Sequence, residues 1–222
     1  MALNTRPPTN TVPVPNVLIQ GIEGAGKTTQ MGTLVEALEA AGQRVCPTRE
    51  PGGTGLGERL RGLLLDPDLT EMIPEAELLL MFAARAQHLA EVIRPALDAG
   101  QWVVSDRFTD ASFAYQGGGR GLGDTRVAAL EDWVQGDLRP DLVILLDIDP
   151  ATGLQRAVQR GRRDRIEREA MDFFERARAA YRRRADAEPQ RYLMVDASAD
   201  AATVGQRMLD GLRSRGLLEA ST

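Results

Sequence analysis

Residues 21–28, Gly-Ile-Glu-Gly-Ala-Gly-Lys-Thr, match the spacing GxxxxGK[ST] at every fixed position. The chemistry this spacing can perform is phosphate binding. Glycines let the backbone fold close around phosphate oxygens, so that a row of N–H donors and the positive end of the following helix face the anion. Lys27 adds a compact cation that reaches the β- and γ-phosphates of a nucleotide, and the Thr28 hydroxyl can take a place on Mg²⁺. Lys27 is also the single Lys among 27 basic residues, the others all being Arg. It stands where a point-like ammonium and a planar guanidinium behave differently. A phosphate loop names a ligand class and leaves the reaction open. The NKxD segment of guanine-reading GTPases and the LSGGQ signature of ABC-type ATPases are both absent from the chain.

Such a loop needs a strand before it and a helix after it. Five short apolar runs, Val17–Gln20, Arg44–Thr48, Trp102–Ser105, Leu142–Leu146 and Tyr192–Val195, alternate with stretches of helical period. That pattern predicts an α/β protein with a five-stranded parallel sheet flanked by helices in three layers. The first helix should begin at Lys27, with Met31, Leu34, Val35 and Leu38 facing the sheet and Gly42 capping its end. From Pro74, a favoured first helical residue, runs a segment that is apolar around much of its circumference. Burial on two sides would suit it, against the sheet and against a second subunit.

At roughly 150 residues per domain, 222 residues predict one domain, over residues 16–215, between a disordered tail at 1–15 and a short tail at 216–222. A net charge of −5 argues against a nucleic-acid binder, which needs a broad cationic face. No apolar run approaches the roughly 20 residues that span a bilayer, and residues 1–15 lack an apolar signal core, so no membrane partner is expected. Cys46, alone, can form no intramolecular disulfide, which suits the cytoplasm. His88, the only His, reads as an ordinary surface or packing residue.

Further motifs follow the predicted strands at their carboxyl ends, where open α/β sheets bind ligands. They are Arg49-Glu50-Pro51-Gly52-Gly53-Thr54, Ser105-Asp106-Arg107-Phe108 and Ala114-Tyr115-Gln116-Gly117-Gly118-Gly119. With the phosphate loop, the FAARAQH helix and the RGRRDRIE stretch, they make a sequence that closely resembles the thymidylate kinases over roughly residues 16–215, in the family's order. Glu23 within the loop, together with the arginine-rich stretch, resembles the bacterial type. The resemblance implies a P-loop kinase fold and transfer of the ATP γ-phosphate to the 5′-phosphate of dTMP, giving dTDP on the way to dTTP. It also implies Mg²⁺, a homodimer, and a cis peptide at Glu50-Pro51.

ATP would then lie on Gly21, Glu23, Gly24, Ala25, Gly26, Lys27, Thr28 and Thr29. The two nucleotides together bring roughly six negative charges into one cleft, which requires cations on the acceptor phosphate. Arg49 and Arg107, beside Pro51 and Asp106, are suited to it because a guanidinium grips phosphate bidentately. Asp106 should hold Mg²⁺ with Thr28, partly through water, with Asp147 as a rival that the family pattern leaves structural. By resemblance Glu23 accepts a hydrogen bond from the 3′-hydroxyl of dTMP, Arg85 donates to a thymine carbonyl, Ser112 and Gln116 bond the base edge, and Tyr115 excludes a 2′-hydroxyl. Relatives carry a stacking ring where this chain has Met81, so either Met81 or its neighbour Phe82 would meet thymine.

The remaining basic density is a predicted lid at about 156–168, with Arg156, Arg160, Arg162, Arg163 and Arg165. Its closure would bring Arg160 or Arg165 onto the transferring phosphoryl group and expel water. The later cluster Arg182, Arg183 and Arg184 reads as a solvated face. Asp196-Ala197-Ser198, after the last strand, would pass the adenine.

Overall fold

A computed structural model describes residues 15–159 and 164–218. Its centre is one sheet of five parallel strands in the order β2-β3-β1-β4-β5. The strands are β1 (Asn16–Gln20), β2 (Val45–Arg49), β3 (Trp102–Asp106), β4 (Leu142–Asp147) and β5 (Tyr192–Asp196). Four of them run one residue beyond the apolar runs at the carboxyl end, because ladder pairing ignores side-chain polarity. Arg49 is paired with Asp106, and Asp147 with Asp196. The charged residues therefore stand in a row along the edge where the loops gather.

Helix α1 (Lys27–Ala40) buries Leu34 and Leu38 against the sheet, with Met31 and Val35 partly covered. Gly42, at φ 77°, receives the chain after its end, as its freedom from a Cβ predicts. Helix α2 (Gly55–Leu65) starts at Thr54, whose hydroxyl accepts from the Gly57 N–H at 2.9 Å. Helix α3 (Pro74–His88) does have Pro74 as its first residue, and passes through a widened turn, Leu89–Ile93, into α4 (Arg94–Asp98). A second widened stretch, Phe113–Gly119, follows the short α5 (Thr109–Ser112) and carries Tyr115 and Gln116. Such widened turns put side chains off the regular helical face and recur at functional sites.

Helices α6 (Asp124–Gln135), α7 (Pro150–Val158), α8 (Met171–Ala187) and α9 (Ala201–Ser214) complete the layers. The main core fills both faces of the sheet, and a smaller one joins Leu78, Phe82, Phe113 and Val127 between α3, α6 and the widened stretch. Leu217 and Leu218, inside the stretch read as a C-terminal tail, pack against the main core. Among the described residues no helix is long and apolar enough to cross a membrane.

Candidate functional site

The phosphate loop links β1 to α1 and is braced from behind by α7. Gly24 sits at φ 74°, and a Cβ there would stand 1.9 Å from the Gly153 carbonyl oxygen, so the loop admits no side chain at this point. Lys27 Nζ donates to the carbonyl oxygens of Gly21 and Ile22, each at 3.0 Å. Thr28 Oγ1 lies 3.5 Å from Asp106 Oδ2, while Asp106 Oδ1 is buried and has no hydrogen-bond partner. Arg156, in the last turn of α7, donates to the carbonyls of Ala197 at 2.9 Å and Ser198 at 2.7 Å. It pins the turn after β5.

Arg107 is the one non-glycine at positive φ among the described residues, at 72°. The left-handed region is costly for a residue that carries a Cβ and persists only where surroundings impose it. Here its N–H donates to Ile19 O at 3.0 Å and its carbonyl accepts from Ser105 Oγ at 2.7 Å. The result is a guanidinium folded back over the phosphate loop. Nη1 donates to Gly21 O at 3.3 Å, Nη2 is paired with Glu23, and the group lies 4.8 Å from the Tyr115 ring centroid. Tyr115 in turn donates its hydroxyl to Glu23.

Burial works against the Glu23 charge, yet Arg107, Lys27 and the Tyr115 hydroxyl outweigh it and hold the carboxyl below the usual range. Burial pushes the Tyr115 phenol well above its usual range against the pull of Arg107, so it remains a donor. Glu23 is thus an ionised acceptor, buried in a cationic setting and not a solvent-facing loop residue.

Between this cluster and helices α2 and α3 lies a cavity. Glu23, Arg107 and Tyr115 form one wall, Pro51, Arg61 and Leu64 a second, and Glu77, Met81, Gln116 and Arg165 a third. Arg61 donates to the Pro51 carbonyl at 2.9 Å. Burial and the neighbouring Arg49 pull its pKa below the usual guanidinium range, with Arg107 adding to the effect. Arg61 and Arg107 thus both line the cavity, two guanidinium groups of the kind that grip an anion.

Behind the cavity two buried polar chains hold the walls in place. In the first, Thr48 Oγ1 meets His88 Nε2 at 2.6 Å and His88 Nδ1 meets Glu50 Oε1 at 2.9 Å. Glu50 Oε2 then accepts from Arg85 Nε at 2.8 Å, and Arg85 Nη2 donates to Ser112 Oγ at 3.1 Å. His88 is fully buried, so of its two expected settings packing is the correct one. Gly53, at φ 77°, leaves room for that ring, since a Cβ there would approach it to 2.9 Å. The Glu50-Pro51 peptide is cis. In the second chain Glu77 accepts from Gln116 Nε2 at 2.8 Å and Arg120 Nη2 at 2.9 Å, and forms an ion pair with Arg165, whose Nη2 lies at 2.7 Å. Burial raises the Glu77 pKa, but Arg120, Gln116 and Arg165 overcome it and leave the carboxyl below its usual range.

Residues 19–208 match the family model described as "Thymidylate kinase". The chain belongs to the thymidylate kinase family. A thymidylate kinase of Halorhodospira halophila is 54% identical over 198 residues, covering 88% of this chain and 92% of that one. One of Pseudomonas syringae pv. tomato is 57% identical over 196 residues, covering 88% and 93%. The crystal structure of thymidylate kinase from Ehrlichia chaffeensis superposes with a TM-score of 0.74 at 31% identity, over 90% of this chain and all of that one. The activity of this thymidylate kinase is the ATP-dependent phosphorylation of dTMP to dTDP.

The structure brings Glu23, Lys27, Thr28, Asp106, Arg107 and Tyr115 near one another beyond the carboxyl ends of β1 and β3. Other residues fall differently. Arg49 is turned onto exposed Glu58 at 2.9 Å and does not line the cavity. Glu58, one turn into α2, also accepts from Gly53 N at 2.9 Å, and so draws Arg49 sideways. Arg61 takes its place on the wall and was missed in the sequence. Met81 lines the cavity, whereas Phe82 is buried in the smaller core with Arg85 over its ring at 4.5 Å. Arg165 donates to Leu64 O at 3.0 Å and meets Glu77, so in this conformation it braces α2 and α3 and is not aimed at the phosphate loop. Arg160, with Arg162 and Arg163, lies outside the described residues. Asp147 accepts from Arg178 at 2.7 Å and 2.8 Å, a structural pair. Arg184, read as solvated, is half-buried on Asp110 at 2.6 Å and over Phe113 at 3.7 Å.

Proposed function

We propose that phosphoryl transfer takes place beside the Gly21 carbonyl. The observation that carries this is that one oxygen, Gly21 O, accepts from Lys27 at 3.0 Å and from Arg107 at 3.3 Å. A donor-side cation and an acceptor-side cation thus stand together. Lys27 would turn to the β- and γ-phosphates of ATP, while Arg107, assisted by Arg61, would hold the 5′-phosphate of dTMP. A phosphate oxygen of dTMP then attacks the γ-phosphorus as the bond to the β-phosphate oxygen breaks and ADP leaves. The acceptor is already an anion, so positioning and charge stabilisation suffice without a protein base or covalent intermediate. A lid arginine, Arg160 or Arg165 after release from Glu77, would add to that charge stabilisation on closure.

Thr28 and Asp106 suit Mg²⁺. Asp106 Oδ1 is a buried oxygen without a partner, next to the Thr28 hydroxyl, and no cluster of three or more acidic, His or Cys ligands exists among the described residues. Mg²⁺ commonly keeps water and phosphate oxygens as its other ligands, and when bound it neutralises charge on them. On the acceptor, Glu23 takes the 3′-hydroxyl, Tyr115 occupies the space of a 2′-hydroxyl, and Arg85, Ser112 and Gln116 read the base, with Met81 packed on it. In a coupled ADP-release assay with dTMP, dUMP, dCMP, dGMP and dAMP, dTMP should give the highest kcat/KM. Equal rates across the pyrimidines would sink the base assignment.

The exposed apolar side chains Leu79 on α3 and Trp133 on α6 support a homodimer through these two neighbouring helices. Trp133 is 81% exposed, a setting that a lone subunit rarely leaves uncovered for so large a ring. Sedimentation at micromolar concentration should give a dimer, and Trp133→Glu should shift it toward monomer. A cytoplasmic site of action fits Cys46, a free thiol.

A further inference from the structure

Among the polar atoms buried without a hydrogen-bond partner are Arg85 Nη1 and, beside the cavity, Gln116 Oε1. Arg85 has spent its other nitrogens on Glu50 and Ser112, so the atom left over can only donate. The character of the Gln116 atom depends on which way its amide is turned. Shape alone does not fix this, because the oxygen and the NH₂ group are nearly the same size. Chemistry fixes it here. The near end of the amide faces Glu77 Oε1 at 2.8 Å, and an ionised carboxylate can only accept. The NH₂ must therefore turn inward, and the carbonyl oxygen must be the end that is left over.

Glu77 cannot escape this role by taking up a proton, since Arg120 holds it on two sides and Arg165 touches it as well. Arg85 and Gln116 therefore leave one donor and one acceptor of fixed polarity. Thymine presents the complement, a carbonyl at C4 and an N–H at N3. Cytosine presents the reverse, an amino group at C4 and a bare N3.

We propose that Glu77 is a specificity-determining positioning residue, which locks the amide of Gln116 so that the pocket takes a pyrimidine carrying N3–H and rejects cytosine. This rests on the reading that Gln116 contacts the base. Glu77 itself takes no part in phosphoryl transfer.

The test compares kcat/KM for dTMP and dCMP, as a ratio, in wild type, Gln116→Ala, Glu77→Gln and the double variant. A neutral amide at 77 can donate as well as accept, so Gln116 becomes free to flip. Glu77→Gln should then lower the dTMP:dCMP ratio by at least about tenfold, the scale on which a mispaired polar group is rejected. In the Gln116→Ala background the same change should leave the ratio where it was. If Gln116→Ala alone does not move the ratio, the base-reading assignment is wrong and this proposal goes with it. If Gln116→Ala moves it and Glu77→Gln does not, or if Glu77→Gln moves it equally in both backgrounds, Glu77 is only a structural brace. Should Glu77→Gln fail to fold, Glu77→Asp keeps an acceptor-only group and should hold the ratio near wild type while kcat/KM falls. A collapsed ratio in that variant overturns the proposal.

Discussion

Lys27→Ala should lower kcat by about 10²–10³-fold or more while the protein stays folded. The ammonium is nine-tenths buried and bonded to two loop carbonyls, so it is held within the phosphate loop before nucleotide arrives. Its attraction for phosphate grows as charge spreads over the transferring group, so kcat should suffer more than the KM for ATP. Lys27→Arg should not restore the rate. A planar fork on a different stem cannot take the place of a point charge in a loop whose glycines leave no slack. Stability should change little, because Gly21 O keeps Arg107 as a donor when the ammonium is gone. Steady-state kinetics with thermal melts settle the point. Near-wild-type turnover by a folded Lys27→Ala protein would overturn the loop mechanism.

How far the sequence could be read depended on whether spacing alone decided a residue's surroundings. The sheet was legible because buried parallel strands are apolar runs whatever lies beside them. Their last residues were not, since ladder pairing carries Arg49, Asp106, Asp147 and Asp196 into the strands. Arg61 was missed although a signal existed. Gly57 and Leu64 are the buried residues of α2, and Arg61 stands between them at i+4 and i−3, on the same face. Arg184 belongs likewise to the stripe Ala177, Ala180 and Tyr181, at i+7, which a count of nearby arginines hides. In α3, Glu77, Met81, Ala84, Arg85 and His88 fall at i, i+4, i+7, i+8 and i+11. A helix that places charged residues on its core stripe signals a polar wall, and their partners Glu50, Gln116 and Arg165 come from elsewhere in the chain. That pairing, and the turning of Arg49 onto Glu58, are tertiary facts that no local pattern encodes.

Arg107→Ala should lower kcat/KM for dTMP by about 10³-fold, the lower range for loss of an arginine from a phosphoryl-transfer site. It should also move the acid limb of the pH profile, and in a definite direction. In the wild type Glu23 is held below the usual carboxylate range, because Arg107 leads the groups that outweigh its burial. Without Arg107 burial gains the upper hand and the Glu23 pKa rises, so the form that accepts from the 3′-hydroxyl is lost at a higher pH. Stability follows the same linkage. A carboxyl whose folded pKa is depressed stabilises the fold above its unfolded pKa, and that contribution disappears as pH falls through the folded value. Removing Arg107 takes this contribution away at neutral pH and matters least in acid, so the gap between variant and wild-type melting temperatures should narrow as pH falls below the ordinary carboxylate range. Arg107→Lys separates the two effects. It keeps a cation near Glu23, so its acid limb should stay near that of the wild type, but it lacks the fork that reaches Gly21, Glu23 and phosphate together, so kcat/KM should still fall. An unmoved acid limb in Arg107→Ala would show that Glu23 does not depend on Arg107 for its charge.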